Sequence, residues 1–223
     1  MQITAPLGIF GGTFDPIHNG HILPIIEGAE ITDIKSITLM PCYIPNHKNA
    51  ATASSQHRLE MVKLICQDFP IFHPDTRDII RAKPTVSLDS LRELRHENPH
   101  TPLCFFIGSD SLQNLPKWYK YQELFSLCHF VVCTRESDLI ADPQEDVNNE
   151  LRVLLQQRQT KDPSNLHNKL AGHIYLANTQ PLTMSSSYIR TRLIKGQPIE
   201  HFVPSKVFDY IQQHKLYQPR VEI

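Results

Sequence analysis

Two histidines near the start of the chain, His18 and His21, have side chains that could bind either an anion or a metal ion. They follow two glycines and an Asp-Pro step in the stretch GGTFDPIHNGH, residues 11–21. Metal binding would need further ligands, and no Glu or Cys lies nearby at a recognised zinc spacing. The histidines could also be incidental, since the chain contains 12 of them. Their position beside the glycines favours a third interpretation, contacts with phosphate.

Gly11 and Gly12 follow the apolar run LGIF (7–10), which is typical of a strand. Glycine lets the backbone approach a ligand closely, although a tight turn from strand to helix would also account for the pair. The spacing fits neither the phosphate-binding pattern G-x-x-x-x-G-K-[ST] nor the dinucleotide pattern G-x-G-x-x-G. The glycines therefore indicate a phosphate site of a different kind.

Asp15 and Pro16 are residue types that favour the N-cap and the first position of a helix, so we predict a helix start here. His18 and His21 would then lie one turn apart near the N-terminus of that helix, where exposed N–H groups and the helix dipole favour anions. Pro24 predicts a kink further along the same helix.

Short apolar runs alternate with amphipathic stretches along the chain. The runs at 7–10, 36–40, 103–107, 130–133 and 173–177 predict strands that are buried on both faces of a parallel sheet. Helices are predicted over 54–69, capped by Ser54 or Ser55, over 87–97, and over 204–214 with Pro204 in the first turn. The alternation predicts an α/β fold with a doubly wound parallel sheet, and functional residues that follow the strands.

Composition sets limits on the class of protein. A chain of 223 residues with net charge −1 fits one domain, residues 1–223, and argues against a nucleic-acid binder. Five cysteines without a Cys-x-x-Cys pair, and the absence of a signal-peptide pattern or a long apolar run, favour a cytoplasmic protein that does not enter a membrane. Residues 137–169 are predicted to be a polar surface excursion with a helix near 148–158, and residues 184–223 a C-terminal motif with helices.

The opening residues resemble the start of the nucleotidylyltransferase superfamily, whose mark is an H-x-G-H motif after the first strand. The motif is present as His18-Asn19-Gly20-His21, within Gly-Gly-Thr-Phe-Asp-Pro. The resemblance implies a Rossmann-like doubly wound parallel sheet of the nucleotidylyltransferase type, with a small C-terminal helical part.

Four further stretches are similar to bacterial nicotinate mononucleotide adenylyltransferases, so the resemblance covers residues 7–215. They are MPCYIPNHK (40–48), KPTVSLDSL (83–91), FIGSDSLQNLPKWYKYQEL (106–124) and MSSSYIR (184–190). The resemblance implies adenylyl transfer from ATP to nicotinate mononucleotide, giving deamido-NAD and pyrophosphate, with Mg²⁺ accompanying ATP. It implies small-molecule substrates as partners and is silent on the oligomeric state.

The resemblance also implies roles for individual residues. His18 and His21 would be catalytic. Trp118, Thr85, Ser87 and Lys48 would bind nicotinate mononucleotide. The implied ATP-binding residues are Gly11, Gly12, Thr13, Phe14, Lys48, Gly108, Asp110, Ser185, Ser186, Ser187 and Arg190.

Each of these residues also has a plainer explanation. Asp110 and the serines could cap helices, Trp118 could pack in a core, and Lys48 could be solvated.

Two positions depart from the family pattern. Asn46 replaces a common proline, and Val86 replaces a common aromatic residue, which affects the expected choice between nicotinate and nicotinamide. The alternatives are therefore a nicotinamide mononucleotide or dual-specificity adenylyltransferase, or a catalytically silent nucleotide-binding sensor. Pantetheine-phosphate adenylyltransferases share the opening motif but are shorter and lack a loop like GSDSLQNLPKW.

Overall fold

A computed structural model describes residues 3–45, 51–134, 147–180, 182 and 184–218. The strands within these residues are β1 Leu7–Gly12, β2 Ile37–Pro41, β3 Ile44–Pro45, β4 Phe72–Pro74, β5 Pro84–Thr85, β6 Leu103–Gly108, β7 His129–Thr134, β8 Gln159–Thr160 and β9 Ile174–Asn178. Seven of them form one parallel sheet in the order β4-β2-β1-β6-β7-β9-β8, and β3 pairs with β5 separately.

Strand order reverses at β1, whose chain neighbour β2 lies on one side while β6 lies on the other. The register aligns Leu7 with Leu103 and Ile9 with Phe105. β6 continues in parallel to β7, and β7 to β9. This is the doubly wound arrangement that the apolar runs predict, in which ligands bind beyond the carboxyl ends of the strands. All five predicted strands are confirmed to within two residues.

The described helices alternate with these strands. They are α1 Asn19–Thr32, α2 Ser55–Asp68, α3 Arg77–Arg81, α4 Ser87–Glu97, α5 Ser109–Asn114, a 3₁₀ turn Leu115–Lys117, α6 Tyr121–Leu127, α7 Val147–Arg158, α8 Asn165–Asn168, α9 Ser186–Ile194 and α10 Ser205–Gln213. In this part of the chain no helix is long and apolar enough to cross a membrane.

The chain divides into two compact units. The first unit comprises Met1–Phe10, Pro24–Thr38 and Val86–Pro181. Its core contains the buried apolar side chains of β6, β7 and β9, among them Phe106, Phe130 and Ile174. Gly28 on α1 faces this core closely, because a Cβ there would lie 2.8 Å from the sulfur of Cys133. The nearly continuous burial of β6 and β7 explains why residues 103–107 and 130–133 are apolar at every position.

The second unit comprises Gly11–Leu23, Leu39–Thr85 and Leu182–Ile223. Helices α2 and α10 pack together here through apolar faces that include Leu59, Val62 and Ile65 on α2, and Val207 and Ile211 on α10. The i+3/i+4 spacing of these residues is the feature that predicted both helices.

Several helix boundaries test the sequence predictions. Ser54 caps α2, since its side-chain oxygen accepts a hydrogen bond from the backbone N–H of His57 at 3.2 Å. Pro204 is the N-cap of α10 and not a residue of its first turn, so that detail was wrong. Pro24 lies inside α1 as predicted, and the expected kink stays a prediction. The helix expected near 148–158 is α7, while residues 135–146 lie outside the described part. Organisation as a single domain stays a prediction.

Candidate active site

His18 and His21 lie together where α1 begins. The helix starts at Asn19, and the carbonyl oxygen of His18 accepts hydrogen bonds from the N–H groups of His21 at 2.8 Å and Ile22 at 3.2 Å. His18 therefore occupies the capping position, and Asp15 does not. The two imidazole rings stack, with centroids 3.7 Å apart and planes inclined by 28°. Both rings thus lie at the positive end of the dipole of α1, which favours an anion. The first N–H groups of the helix are already bonded, that of Asn19 to the carbonyl of Phe202 and those of His21 and Ile22 to His18, so the rings are the donors to consider here.

Burial determines the charge of His18. Only 3% of this residue is exposed, and burial lowers its pKa from 6.5 to about 4. Its imidazole is therefore neutral at pH 7 and can both donate and accept a hydrogen bond. The Nδ1 atom of His18 is buried and has no hydrogen-bond partner within the described residues. A buried polar atom in this condition is suited to a ligand that supplies the missing partner.

Gly20, between the two histidines, is required by its surroundings. A Cβ at this position would lie 2.6 Å from Cγ of Met184 and 3.1 Å from the ring of His18. The N–H of Gly20 points at the sulfur of Met184, 3.1 Å away. The glycine of the motif therefore lets the segment before α9 pack directly against the histidine pair.

The loop that links β1 to α1 is anchored to its surroundings through backbone atoms. The sequence analysis placed Gly11 and Gly12 just after the first strand, but they are the last two residues of β1. The carbonyl of Gly12 accepts a hydrogen bond from the N–H of Cys42 at 2.9 Å. Phe14 is buried, adopts φ 52°, and meets the ring of His21 edge to face at 5.3 Å. Phe14 thus positions His21 by packing.

Arg58, which the sequence analysis missed, fixes the same loop from α2. This arginine is 1% exposed, and its guanidinium donates hydrogen bonds to the carbonyls of Thr13 and Tyr43, each at 2.7 Å, and of Ala53 at 3.3 Å. The sequence did contain a sign that Arg58 is buried. It precedes Val62 by four residues and so lies on the apolar face of α2. A cation at such a position must find buried acceptors.

Asp15 has a different role from the predicted one. Its carboxylate is buried and accepts hydrogen bonds from the backbone N–H groups of Thr52 at 2.7 Å and Ala53 at 3.0 Å, and from the hydroxyl of Tyr217 at 2.9 Å. The prediction that Asp15 caps a helix beginning at Pro16 was therefore wrong. Donors from distant parts of the chain outcompete the local helix start for this carboxylate.

The serine segment and Arg190 lie on α9. Ser185 is the N-cap and accepts a hydrogen bond from the N–H of Tyr188 at 3.1 Å, while the hydroxyl of Ser186 donates to the carbonyl of Pro16 at 3.0 Å. The guanidinium of Arg190 donates to the carbonyl of Asp15 at 2.7 Å and to the hydroxyl of Ser187 at 3.2 Å. These contacts bring the start of α9 and the loop before α1 together.

The remaining predicted residues of the first unit follow β6 and begin α4. Gly108 is the N-cap of α5, and Asp110 is exposed in the first turn of that helix rather than capping it. Trp118 ends the 3₁₀ turn, half-buried, and meets Phe105 edge to face with centroids 6.2 Å apart. Ser87 is the first residue of α4. Trp118 therefore keeps part of its indole available while one edge is packed.

Thr85 belongs to the short strand pair of the second unit. The hydroxyl of Thr85 on β5 accepts a hydrogen bond from the N–H of Tyr43 at 3.1 Å, beside the start of β3. Val86, the departure from the family pattern, is the N-cap of α4 in an extended conformation. Lys48 and Asn46 lie outside the described residues.

Comparisons with known proteins give a consistent result. The cytidylyltransferase-like family model matches residues 9–192. A "probable nicotinate-nucleotide adenylyltransferase" of Pseudoalteromonas atlantica is 46% identical over 96% of this chain and 95% of its own length. A protein of the same name from Aeromonas salmonicida is 42% identical over 97% of this chain and 99% of its own.

A solved structure shows a similar fold. It is a Plasmodium falciparum nicotinic acid mononucleotide adenylyltransferase complexed with NaAD. The match has a TM-score of 0.69 and 21% identity, and covers 96% of this chain and 98% of the other. The doubly wound fold predicted from the sequence is thereby confirmed.

Proposed function

The chain belongs to the nicotinate-nucleotide adenylyltransferase family, and on that premise we propose that it transfers the adenylyl group of ATP to nicotinate mononucleotide. The products are deamido-NAD and pyrophosphate, in a step of NAD biosynthesis. The observation that carries this proposal is the stacked histidine pair at the start of α1, with a neutral, buried His18 beside Gly20.

The chemistry needs no strong base. A phosphate oxygen of nicotinate mononucleotide is already anionic near pH 7, and it attacks the α-phosphorus of ATP as the bond to pyrophosphate breaks. What the protein must supply is alignment of two anions and hydrogen bonds to the charge that develops on the phosphate oxygens. The proposed donors are the imidazoles of His18 and His21, with N–H groups in the segment from Gly12 to Phe14.

A neutral His18 fits this task. Burial removes water from the imidazole and lowers its pKa, and a phosphate anion placed against it would raise the pKa again. The neutral ring still carries one N–H, which can donate a hydrogen bond to a phosphate oxygen of ATP. The same ring stacks on His21, so a contact made by one histidine also restrains the other.

We assign further contacts with ATP to Ser185, Ser186, Ser187 and Arg190 for the phosphates, to Gly108 and Asp110 for the ribose, and to Lys48 as a phosphate clamp. Arg190 carries a charge that suits a triphosphate, although part of its guanidinium already bonds Asp15 and Ser187. For nicotinate mononucleotide, we assign stacking of the pyridine ring to Trp118 and recognition of its carboxylate to the segment of Thr85 and Ser87. An exposed indole face suits a flat aromatic ring.

Mg²⁺ is proposed to enter with ATP. Among the described residues no group of three or more His, Cys, Asp or Glu side chains could hold a metal ion. Mg²⁺ commonly keeps several waters and binds substrate phosphates, where it would neutralise part of their charge. A cytoplasmic location and a small-molecule-only set of partners stay predictions.

The proposal is tested by measuring pyrophosphate release from Mg-ATP, with nicotinate mononucleotide and nicotinamide mononucleotide assayed in parallel. We expect strong turnover with the acid and little with the amide. Comparable turnover would mean that the pocket near Val86 does not discriminate the two, and the claim for nicotinate would fail. Release with neither substrate would support a nucleotide-binding protein without catalysis.

A further inference from the structure

Tyr217 lies in the segment after α10 and contacts the carboxylate that organises the loop before α1. The residue is 7% exposed, and its hydroxyl donates a hydrogen bond to Oδ1 of Asp15 at 2.9 Å. Burial and the neighbouring carboxylate raise the pKa of this phenol, so it remains protonated and continues to donate. No other side-chain hydroxyl bonds this carboxylate within the described residues.

Asp15 connects that contact to Arg190. Nη1 of Arg190 donates to the backbone carbonyl of Asp15 at 2.7 Å and lies 3.6 Å from its Oδ2 atom. Oδ2 also accepts from Thr52 and Oδ1 from Ala53, so each carboxylate oxygen has a fixed direction. The backbone carbonyl of Asp15 places Nη1, and the fixed carboxylate adds an ion pair at Oδ2 that favours the same placement. Nη2, turned toward Ser187, then faces the start of α9.

We propose that Tyr217 is a positioning residue for ATP binding, acting through Asp15 on Arg190. The inference rests on the proposed function, since it takes Arg190 to contact the triphosphate. Removing the phenol hydroxyl leaves Oδ1 with the Ala53 amide alone. The carboxylate keeps its two backbone amides but can shift, because one of its three donors is gone. A shift of Oδ2 weakens its ion pair with Arg190, while the bond from Arg190 to the Asp15 carbonyl remains.

The test is calorimetric binding of Mg-ATP to the full chain and to the variant Tyr217→Phe. The ring is retained, so packing is preserved while one hydrogen bond to a charged group is lost. We expect the Kd for ATP to rise roughly 3- to 10-fold, because the lost hydrogen bond acts on ATP only indirectly, through Asp15 and Arg190. The matched control is Tyr210→Phe, which removes a phenol bonded to Nδ1 of His57 at 2.9 Å in the same unit. This control should bind ATP like the unmodified chain.

A double-mutant cycle separates positioning from a general loss of structure. In an Arg190→Ala background, Tyr217→Phe should not weaken ATP binding further, because the residue through which it acts is absent. An undiminished effect in that background, an unchanged Kd in Tyr217→Phe alone, or an equal effect of Tyr210→Phe would each overturn the inference.

The binding readout also distinguishes this inference from the proposed function. If ATP binds as expected but no pyrophosphate is released with either mononucleotide, the proposed function fails and the role of Tyr217 stands. If ATP turns over but its Kd is the same for the unmodified chain and for Tyr217→Phe, the inference fails and the function stands. If no variant binds Mg-ATP, both are overturned.

Discussion

The imidazole rings of His18 and His21 stack at the first turn of α1, with their centroids 3.7 Å apart. Asn19 and Gly20 separate the two residues in the sequence. One ring is buried and neutral, and the other is only partly covered. These two adjacent rings are the donors that the proposed mechanism assigns to the phosphates of ATP.

Replacing His21 with Ala should leave the fold intact and lower kcat by roughly 10²–10³, the usual scale for one preorganised donor. The measurement is steady-state pyrophosphate release with Mg-ATP and nicotinate mononucleotide, with thermal unfolding as the check on the fold. His96→Ala, at an exposed position of α4, is the matched control and should leave kcat unchanged. A His21→Ala protein with most of its activity would remove His21 from the proposed mechanism.

The pH dependence of stability should report the buried histidines. Burial lowers the pKa of both His18 and His129 to about 4, against 6.5 for the ordinary side chain. The unfolded chain therefore takes up these protons first as the pH falls. Above pH 6.5 both histidines are neutral in either state, so they leave the free energy of unfolding unchanged. Between pH 6.5 and 4 the free energy of unfolding decreases as the pH falls, by roughly 1.4 kcal/mol per pH unit for each histidine.

Urea denaturation of the unmodified chain and of His18→Gln, at several pH values in this window, measures the effect. The difference between the two proteins should shrink as the pH falls, because only the unmodified chain carries the cost of keeping His18 neutral. Carboxylates that titrate nearby cancel in the comparison. Parallel curves for the two proteins would show that the ordinary pKa of His18 is retained on folding.

Gly20→Ala should destabilise the protein and impair catalysis together. The added Cβ would lie 2.6 Å from Cγ of Met184 and 3.1 Å from the ring of His18, so a neighbour must move. A crowding of this kind costs roughly 1–3 kcal/mol of unfolding free energy. Denaturation of Gly20→Ala with and without Met184→Ala tests the cause. The second change should recover part of the loss, and an additive loss would place the conflict elsewhere.

Arg58→Lys should lower the free energy of unfolding by roughly 2–4 kcal/mol, although charge is kept. Lysine cannot reach the carbonyls of Thr13, Tyr43 and Ala53 at once, as the guanidinium does. Arg92→Lys is the control, because Arg92 forms an exposed ion pair with Glu123 and should change stability by less than about 0.5 kcal/mol. Equal effects of the two substitutions in urea denaturation would contradict the anchoring role of Arg58.

Trp118→Ala should raise KM for nicotinate mononucleotide more than KM for ATP, because a stacking surface for the pyridine ring is lost. Tyr119→Ala, which removes a neighbouring aromatic side chain that is 61% exposed, is the matched control. Both KM values follow from initial rates with one substrate varied at a time. A proportional rise in both for Trp118→Ala would indicate a general role in packing.

The parts of the fold that the sequence predicted are those governed by local patterns. The buried strands β1, β2, β6, β7 and β9 are short apolar runs, and α2 and α4 have apolar residues at i+3 and i+4. The positions of His18 and His21 beside a helix start also followed from their spacing, although the helix begins three residues later than Pro16 implied.

The parts that could not be predicted depend on contacts between residues far apart in the chain. Asp15 has the residue type and the following proline of a helix cap, yet its partners are the amides of Thr52 and Ala53 and the phenol of Tyr217. The pairing of β3 with β5 involves two residues on each side, too few to give a periodic pattern. Local propensity is a weak guide wherever a buried charge must be satisfied.

The bond between Asp15 and Tyr217 joins residues 202 positions apart. A protein is synthesised from its N-terminus, so Asp15 leaves the ribosome long before Tyr217 has been translated. Throughout that interval the carboxylate lacks its phenol donor, whatever else has already folded. The loop before α1, which contains Asp15, is thus among the first segments made and among the last to gain all of its contacts. A nascent chain should acquire full affinity for ATP only after the segment that follows α10 has emerged.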